Sequence, residues 1–242
     1  MTLLKRFQIF GLLAFSITAL AISFLILAWA PGNVLANANQ VGDGFGPPRN
    51  LGAQISKAQL STVIVECEAK GGSFGSGWAI DKKFLEPKIV ESGKHFFITA
   101  HHVVEDCVKT NVLNIYSKKS DESFAGHLIM WDKAKDLAVI ASSLKLPELM
   151  VSNYQAKEGH WVMAVGAPEA YESSVTFGYI MNHSHEDLLF TAPIAGGSSG
   201  GPLLNNQGYV VGTVTASAVG GEFNFATSLE NMCRKFLTCG EK

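Results

Sequence analysis

The sequence predicts an all-β fold of barrel or sandwich class, built in two halves. Three observations carry this. Short β-type runs recur along the chain between turn signals, at roughly 8–15-residue spacing. Sustained helical periodicity is confined to the two ends. The runs fall into two groups, with a break near residues 142–159.

The first group reads Ser61–Glu68 (STVIVECE), Gly77–Ile80 (GWAI), Phe96–Thr99 (FFIT), Val112–Tyr116 (VLNIY), His127–Trp131 (HLIMW) and Leu137–Ile140 (LAVI). The second reads Trp161–Val165 (WVMAV), Ser174–Met181 (SVTFGYIM), Leu188–Thr191 (LLFT), Gly201–Leu204 (GPLL), Tyr209–Thr215 (YVVGTVT) and Glu222–Ala226 (EFNFA). Each is short and apolar, most are rich in β-branched or aromatic residues, and turn signals alternate with them along the chain. A C-terminal helix is expected over about 228–238. Thr227-Ser-Leu-Glu230 has the form of a capping box, and Leu229, Met232, Cys233, Phe236 and Leu237 then repeat at helical spacing.

The N-terminus is different in kind. No charged residue lies between Arg6 and Asp43, and Phe7–Ala30 is almost wholly apolar. As a helix these residues span roughly 36 Å, enough for a ~30 Å hydrocarbon core. Lys5 and Arg6 precede the run and no Lys or Arg follows until Arg49, which places the N-terminus in the cytoplasm and the rest outside. Two forms of export fit. One is a retained transmembrane anchor over 1–30. The other is a signal peptide cleaved near Ala36-Asn37-Ala38, although the apolar run exceeds the usual length of such a peptide. A Pro-, Gly- and Asn-rich stretch follows and reads as a linker over 31–54. The two β-halves then occupy 55–148 and 149–242.

Formal net charge is −2 and charged residues make up only 17%. With no basic run long enough to track phosphates, nucleic acid is not an expected partner. The four cysteines, Cys67, Cys107, Cys233 and Cys239, all lie in the exported part, where disulfides persist. Of the three possible pairings, sequence proximity favours Cys67 with Cys107 and Cys233 with Cys239; four buried thiols are the alternative. Their spacing is not of zinc-site type. His183-Ser-His185 reads as a polar turn rather than a metal pair, so no metal or other cofactor is expected.

Chemistry concentrates at three places. Gly196-Gly-Ser-Ser-Gly-Gly-Pro202 presents two serines on a glycine-rich turn. A serine hydroxyl needs a base and nearby N–H groups to act as a nucleophile. Phe96-Phe-Ile-Thr-Ala-His-His-Val-Val104 ends a strand in a histidine pair, and histidine has the near-neutral pKa of a general base. Asp136 stands directly before the apolar strand LAVI and can orient an imidazole; Asp132 is a nearby competitor. The chain order is His, Asp, Ser.

These segments resemble the motifs of trypsin-like serine peptidases. Thr99–Val104 resembles the family's TAxHVV, Asp136–Ile140 its DLAVI, and Gly197–Leu204 its GxSGGPL. Gly75-Ser-Gly-Trp-Ala-Ile80 and the pair Val165-Gly-Ala-Pro with Ser174-Val-Thr-Phe-Gly-Tyr-Ile180 resemble secondary motifs closest to the bacterial HtrA-like branch. The resemblance covers roughly 55–240. It implies two six-stranded antiparallel β-barrels in chymotrypsin-like arrangement, with the site in the cleft between them. It further implies His102 as base, with His101 in a variable slot, Asp136 as orienter and Ser199 as nucleophile. The N–H groups of Gly197 and Ser199 would form the oxyanion hole. Thr215 would contact the catalytic aspartate, and Pro193, Ile194, Ala195, Ala216 and Ser217 would line the specificity pocket. No acid stands at the pocket floor, so a small or medium apolar side chain is the expected preference.

Two departures from the family pattern bear on regulation. Ser198 replaces the aspartate that pairs with a freed N-terminus in secreted digestive proteases, which argues against activation by N-terminal insertion. The 43 residues after Ser199 are expected to be used by the final strands and helix, leaving no PDZ domain. The expected function is an exported serine endopeptidase acting on proteins or peptides, membrane-associated through its N-terminal segment. A catalytically silent binding or sensing module on the same fold is the alternative.

Overall fold

The computed structural model describes residues 44–239, apart from 70–71, 91–93, 119, 172, 218–222 and 235. The apolar N-terminal segment, the linker up to residue 43 and the start of the last expected strand lie outside the described residues. Among the described residues no helix is long and apolar enough to cross a membrane.

Two closed six-stranded barrels form the described chain. The first comprises β1 (Thr62–Cys67), β2 (Ser73–Ile80), β3 (His95–Thr99), β4 (Leu113–Ser117), β5 (Ser120–Asp132) and β6 (Leu137–Ser142), in the order β1-β2-β3-β6-β5-β4. The second comprises β7 (Trp161–Gly166), β8 (Ser174–His183), β9 (Asp187–Phe190), β10 (Pro202–Asn205), β11 (Val210–Ser217) and β12 (Asn224–Ser228), in the order β10-β11-β12-β9-β8-β7. Every ladder pairing is antiparallel. Closure removes the free sheet edges that an open sheet of this composition would expose.

Alternate residues along a strand point to opposite faces, and here several strands bury both. In β3, Phe97 fills the first barrel while Phe96 and Ile98 face the seam between the barrels. In β7, Val162 and Ala164 fill the second barrel while Trp161, Met163 and Val165 face the same seam. This is why FFIT and WVMAV read as continuous apolar runs rather than alternating ones. Trp78, fully buried in the seam, donates its indole N–H to Thr213 Oγ1 of the other barrel at 3.2 Å.

Helix α1 (Leu51–Ser61) covers the end of the expected linker and runs directly into β1. Its apolar side is narrow: Leu51, Ile55 and Ala58 pack on the seam cluster. Gln59 bonds Ser173 in both directions, which ties the helix to the start of β8. After β3 comes the short α2 (His101–Val104), and after β12 the short α3 (Leu229–Cys233).

The C-terminal helix is shorter than expected. Ser228 rather than Thr227 is its N-cap, accepting from Asn231 N–H, and the helix ends at Cys233. Six residues of continued helix would rise about 9 Å, whereas the paired Cys233 and Cys239 have Cα atoms 5.5 Å apart. The chain therefore folds back after one turn, and Leu237 bridges to Leu85. The second disulfide joins Cys67 to Cys107 in the first barrel.

Candidate active site

The three predicted residues sit on segments that meet where the barrels face each other. Strand β3 ends in Thr99-Ala100, and α2 begins at once with His101-His102. The two histidines point differently: His101 is buried at 4% exposure, whereas the His102 side chain keeps 46%. Asp136 closes the turn from β5 into β6. It has φ +50°, a left-handed conformation unusual for a residue other than glycine. Asp132, the competing carboxylate, caps that turn by accepting from Ala134 and Lys135 N–H.

Asp136 grips His102 twice. Oδ1 accepts the His102 backbone N–H at 2.9 Å, and Oδ2 lies 2.7 Å from Nδ1. The hydrogen bond to Asp136 raises the His102 pKa above the ordinary 6.5, partly opposed by burial, with the Asp136 and Glu105 charges adding to the rise. Burial pushes Asp136 upward, but the two bonds from His102 and its charge outweigh it, so the carboxyl stays below its ordinary 3.8. An ionised carboxylate only accepts. It therefore fixes the proton on Nδ1 and leaves Nε2 available to take one.

Ser199 lies on the loop before β10. Its hydroxyl donates to Thr215 O at 2.8 Å. That carbonyl is free because Thr215 is the extra residue of a β-bulge: Val214 pairs with Ala226 and Ala216 with Phe225. The bulge corrects the expected role of Thr215. Its hydroxyl donates to Phe225 O at 3.2 Å rather than reaching Asp136, and its backbone, not its side chain, serves the site. Among the described residues no hydrogen bond joins Ser199 to His102; the hydroxyl is turned to Thr215 O instead, and catalytic hydrogen bonds of this kind often form only once substrate is bound.

The loop is pinned peptide by peptide. Gly196 O accepts from Glu169 N–H at 2.7 Å, and Gly197 O accepts from Ser76 Oγ at 2.7 Å. Ser198 O accepts from Gly201 N–H at 3.1 Å, and Ser199 O from Ser76 N–H at 2.7 Å. In a trans peptide the N–H points opposite to the C=O. Holding the carbonyls of Gly196 and Ser198 therefore aims the N–H groups of Gly197 and Ser199 away from the loop's own supports. Among the described residues neither N–H donates to a protein acceptor. Gly197 has φ +95°, and a Cβ there would collide with Ala167 O, so only glycine fits.

A cavity of about 240 Å³ lies beside this loop. Pro193, Ile194 and Ala195 line it as expected, with Val214 at its wall. The other two expected residues do not: Ala216 and Ser217 lie exposed on β11, past the bulge. Their places are taken by Ala164–Gly166 of β7 and by Ser174 and Thr176 of β8. Among the described residues the lining carries hydroxyls but no charged side chain.

Gly75-Ser-Gly stands out in the sequence as a motif, but the role of Ser76 is not readable from it; a hydroxyl between two glycines in a buried strand is the available signal. Val165-Gly-Ala-Pro168 marked the start of the turn Ala167–Glu169 as a motif, but not its role, because the turn acts through backbone atoms. His183 and His185 contact different carboxylates, Glu158 and Glu230.

Comparison with known proteins accords with this geometry. Residues 75–212 match the family model described as a trypsin-like peptidase domain. A probable periplasmic serine endoprotease, DegP-like, from Chlamydia trachomatis is 35% identical over 153 residues, covering 58% of this chain and 30% of the relative. A protein of the same description from Pseudomonas fluorescens is 32% identical over 195 residues, covering 75% of this chain and 38% of the relative. The chain thus spans about a third of the length of these relatives. The active form of the Rv3671c protease from M. tuberculosis superposes with a TM-score of 0.66 at 21% identity, covering 78% of this chain and 86% of that one. A serine endoprotease from Yersinia pestis superposes at 0.63 with 24% identity, covering 76% and 64%. The family model takes in more than half of the chain, and with it both the histidine and the serine motifs: this chain belongs to the trypsin-like peptidase domain family.

Proposed function

We propose that this chain is an extracytoplasmic serine endopeptidase that hydrolyses peptide bonds through an acyl-enzyme on Ser199. The observation that carries the reading is the doubly bonded Asp136–His102 pair, facing a loop whose Gly197 and Ser199 N–H groups have no internal acceptor among the described residues. His102 Nε2 takes the Ser199 hydroxyl proton as Oγ attacks the substrate carbonyl carbon. The oxyanion forms against the N–H groups of Gly197 and Ser199. His102 then gives the proton to the leaving amine as the C–N bond breaks, and water releases the acyl group by the same steps.

Binding follows from the same features. Past the bulge, Ala216 and Ser217 pair among the described residues on one side only, with β12, since β10 meets β11 at Val210–Thr213. The open edge suits an extended peptide added as a strand. The cavity at Ile194 and Val214, lined without charge among the described residues, suits a small or medium apolar side chain before the scissile bond. The names of the DegP-like relatives support an extracytoplasmic site, and residues 1–30 would supply the export signal or anchor, followed by a linker and by halves at 55–148 and 149–242. N-terminal sequencing of the mature protein separates anchor from cleaved signal.

Digestion of an unfolded protein, with Ser199→Ala as control, tests the reading. Cleavage after apolar residues that vanishes in the variant is expected. Equal cleavage by both proteins, or clear preference for Lys or Arg, contradicts it.

A further inference from the structure

Ser76 lies in β2 of the first barrel, yet two of its polar groups, the hydroxyl and the backbone N–H, engage the oxyanion loop and its supporting turn in the second, while its carbonyl engages the histidine strand. Its side chain is fully buried, at 0% exposure. Its hydroxyl donates to Gly197 O at 2.7 Å and accepts from Ala167 N–H at 2.9 Å. A hydroxyl has one proton to give, so these two bonds fix its orientation completely. Its N–H donates to Ser199 O at 2.7 Å. Its carbonyl accepts from Thr99 Oγ1 at 2.6 Å, three residues before His102.

The surrounding glycines show how closely these segments approach. A Cβ on Gly166 would stand 3.1 Å from Ser76 Oγ, and one on Gly200 would strike Ser76 O and Thr99 Oγ1. A Cβ on Gly75 would stand 2.5 Å from Val103 Cγ2 and 2.8 Å from Ser199 O. Ser76 is therefore the point at which the histidine strand, the nucleophile loop and the Ala167–Glu169 turn are joined. That turn is itself constrained: Glu169 has φ +49° and donates to Gly196 O. Gly197 thus has the carbonyls on both sides of its Cα held, one by Ser76 Oγ and one by a turn that Ser76 Oγ also holds.

We propose that Ser76 is a positioning residue for the oxyanion hole, acting through the two peptides that flank Gly197. This rests on the serine-peptidase reading and deepens it. Without the hydroxyl, the buried Gly197 O and Ala167 N–H lose their shared partner, and an unpaired buried polar group drives local rearrangement. The Gly197 N–H is then no longer preorganised for developing charge.

The test compares Ser76→Ala with wild type and with Ile115→Val, a core change in the first barrel. Removing an oxyanion donor outright costs about 10²–10³ in kcat, so loss of its support should cost about tenfold or more, with KM changed by less than about twofold. Affinity for a peptide boronate, which mimics the tetrahedral state, should fall in parallel with kcat. Ile115→Val should lower the melting temperature and leave kcat unchanged. A crystal structure of Ser76→Ala, which does not depend on activity, should show the Gly197 peptide turned from its wild-type position. Wild-type kcat and boronate affinity with an unmoved Gly197 peptide overturn the proposal. A wild-type protein without Ser199-dependent activity breaks the peptidase reading, and the Gly197 peptide in the two crystal structures still decides the positioning. If Ser76→Ala does not fold, hydrogen exchange of the wild-type Ala167 amide decides instead. Protection as slow as the β2 amides supports the bridge; exchange as fast as Gly196 overturns it.

Discussion

His102 and its neighbour His101 show how one position along a chain separates two chemistries. Both follow the same buried strand, but α2 turns His101 into the protein and His102 toward Asp136. His101→Ala should therefore lower stability while leaving turnover nearly intact, and His102→Ala should abolish turnover; the reverse order in a kinetic comparison contradicts the assignment. The pH dependence follows from the pair. His102 must be neutral to accept a proton, and its pKa is raised, so kcat/KM should rise with pH along a limb centred above 6.5. Asp136→Asn removes the charge and the accepting oxygen, which should move that limb to lower pH and reduce kcat by about 10⁴. The same pair affects stability. The raised His102 value stabilises the fold fully below its unfolded value near 6.5, and this contribution fades as pH climbs through the folded value. The depressed Asp136 value stabilises the fold fully above the unfolded value near 3.8, and this contribution is lost as pH falls through the lower folded value. A stability-versus-pH curve for wild type and Asp136→Asn reads both. The pairing of His102 with Asp136 was legible in the sequence because both partners are side chains, as is the proposed nucleophile Ser199. The Thr215 carbonyl was not, because a bulge shifts pairing by one residue without a mark in composition.

Elements were legible to the extent that their burial was one-sided or complete. The β-runs each contain or overlap one of the twelve strands, because strands that bury both faces leave unbroken apolar runs. Helix α1 was hidden by its content: Gly52, Ala53, Ala58 and Ser61 give it little apolar contrast, and it follows a turn-rich stretch. The C-terminal helix was overextended because periodicity alone cannot register that a disulfide folds the chain back. Beyond that turn, the second barrel also reaches the catalytic turn: Thr227 Oγ1 donates to Lys135 O at 2.9 Å, and Lys135 Nζ donates to Asn231 O at 3.3 Å. Thr227→Val should cost about 0.5–1.5 kcal/mol by removing this part-buried hydrogen bond, measurable by denaturant unfolding. The two disulfides should differ. Cys67–Cys107 spans 40 residues and Cys233–Cys239 spans 6. Loop-closure entropy then assigns about 4 kcal/mol to the first and about 2 kcal/mol to the second. Paired Cys→Ser variants compared by urea melting should show that order; equal losses contradict the loop-closure account.

At the scale of the whole molecule, the barrels share one core. Trp78, Phe96, Trp161, Met163 and Met232 pack in a single seam cluster drawn from both. The Asp136–His102 pair comes from one side of it and Ser199, the proposed nucleophile, from the other, so on the proposed mechanism rigidity across the seam keeps them in register. Trp78→Ala should cost about 3–5 kcal/mol, and the loss should appear as one cooperative transition rather than as separate melting of the barrels. The central claim is that Ser199, activated by His102 and Asp136, is a nucleophile. Its most direct measurement is labelling by a fluorophosphonate, with the modified residue located by peptide mass. Stoichiometric modification of Ser199, absent in Ser199→Ala and strongly slowed in His102→Ala, is the predicted result. Labelling at Ser198, or none in the folded wild-type protein, would contradict it.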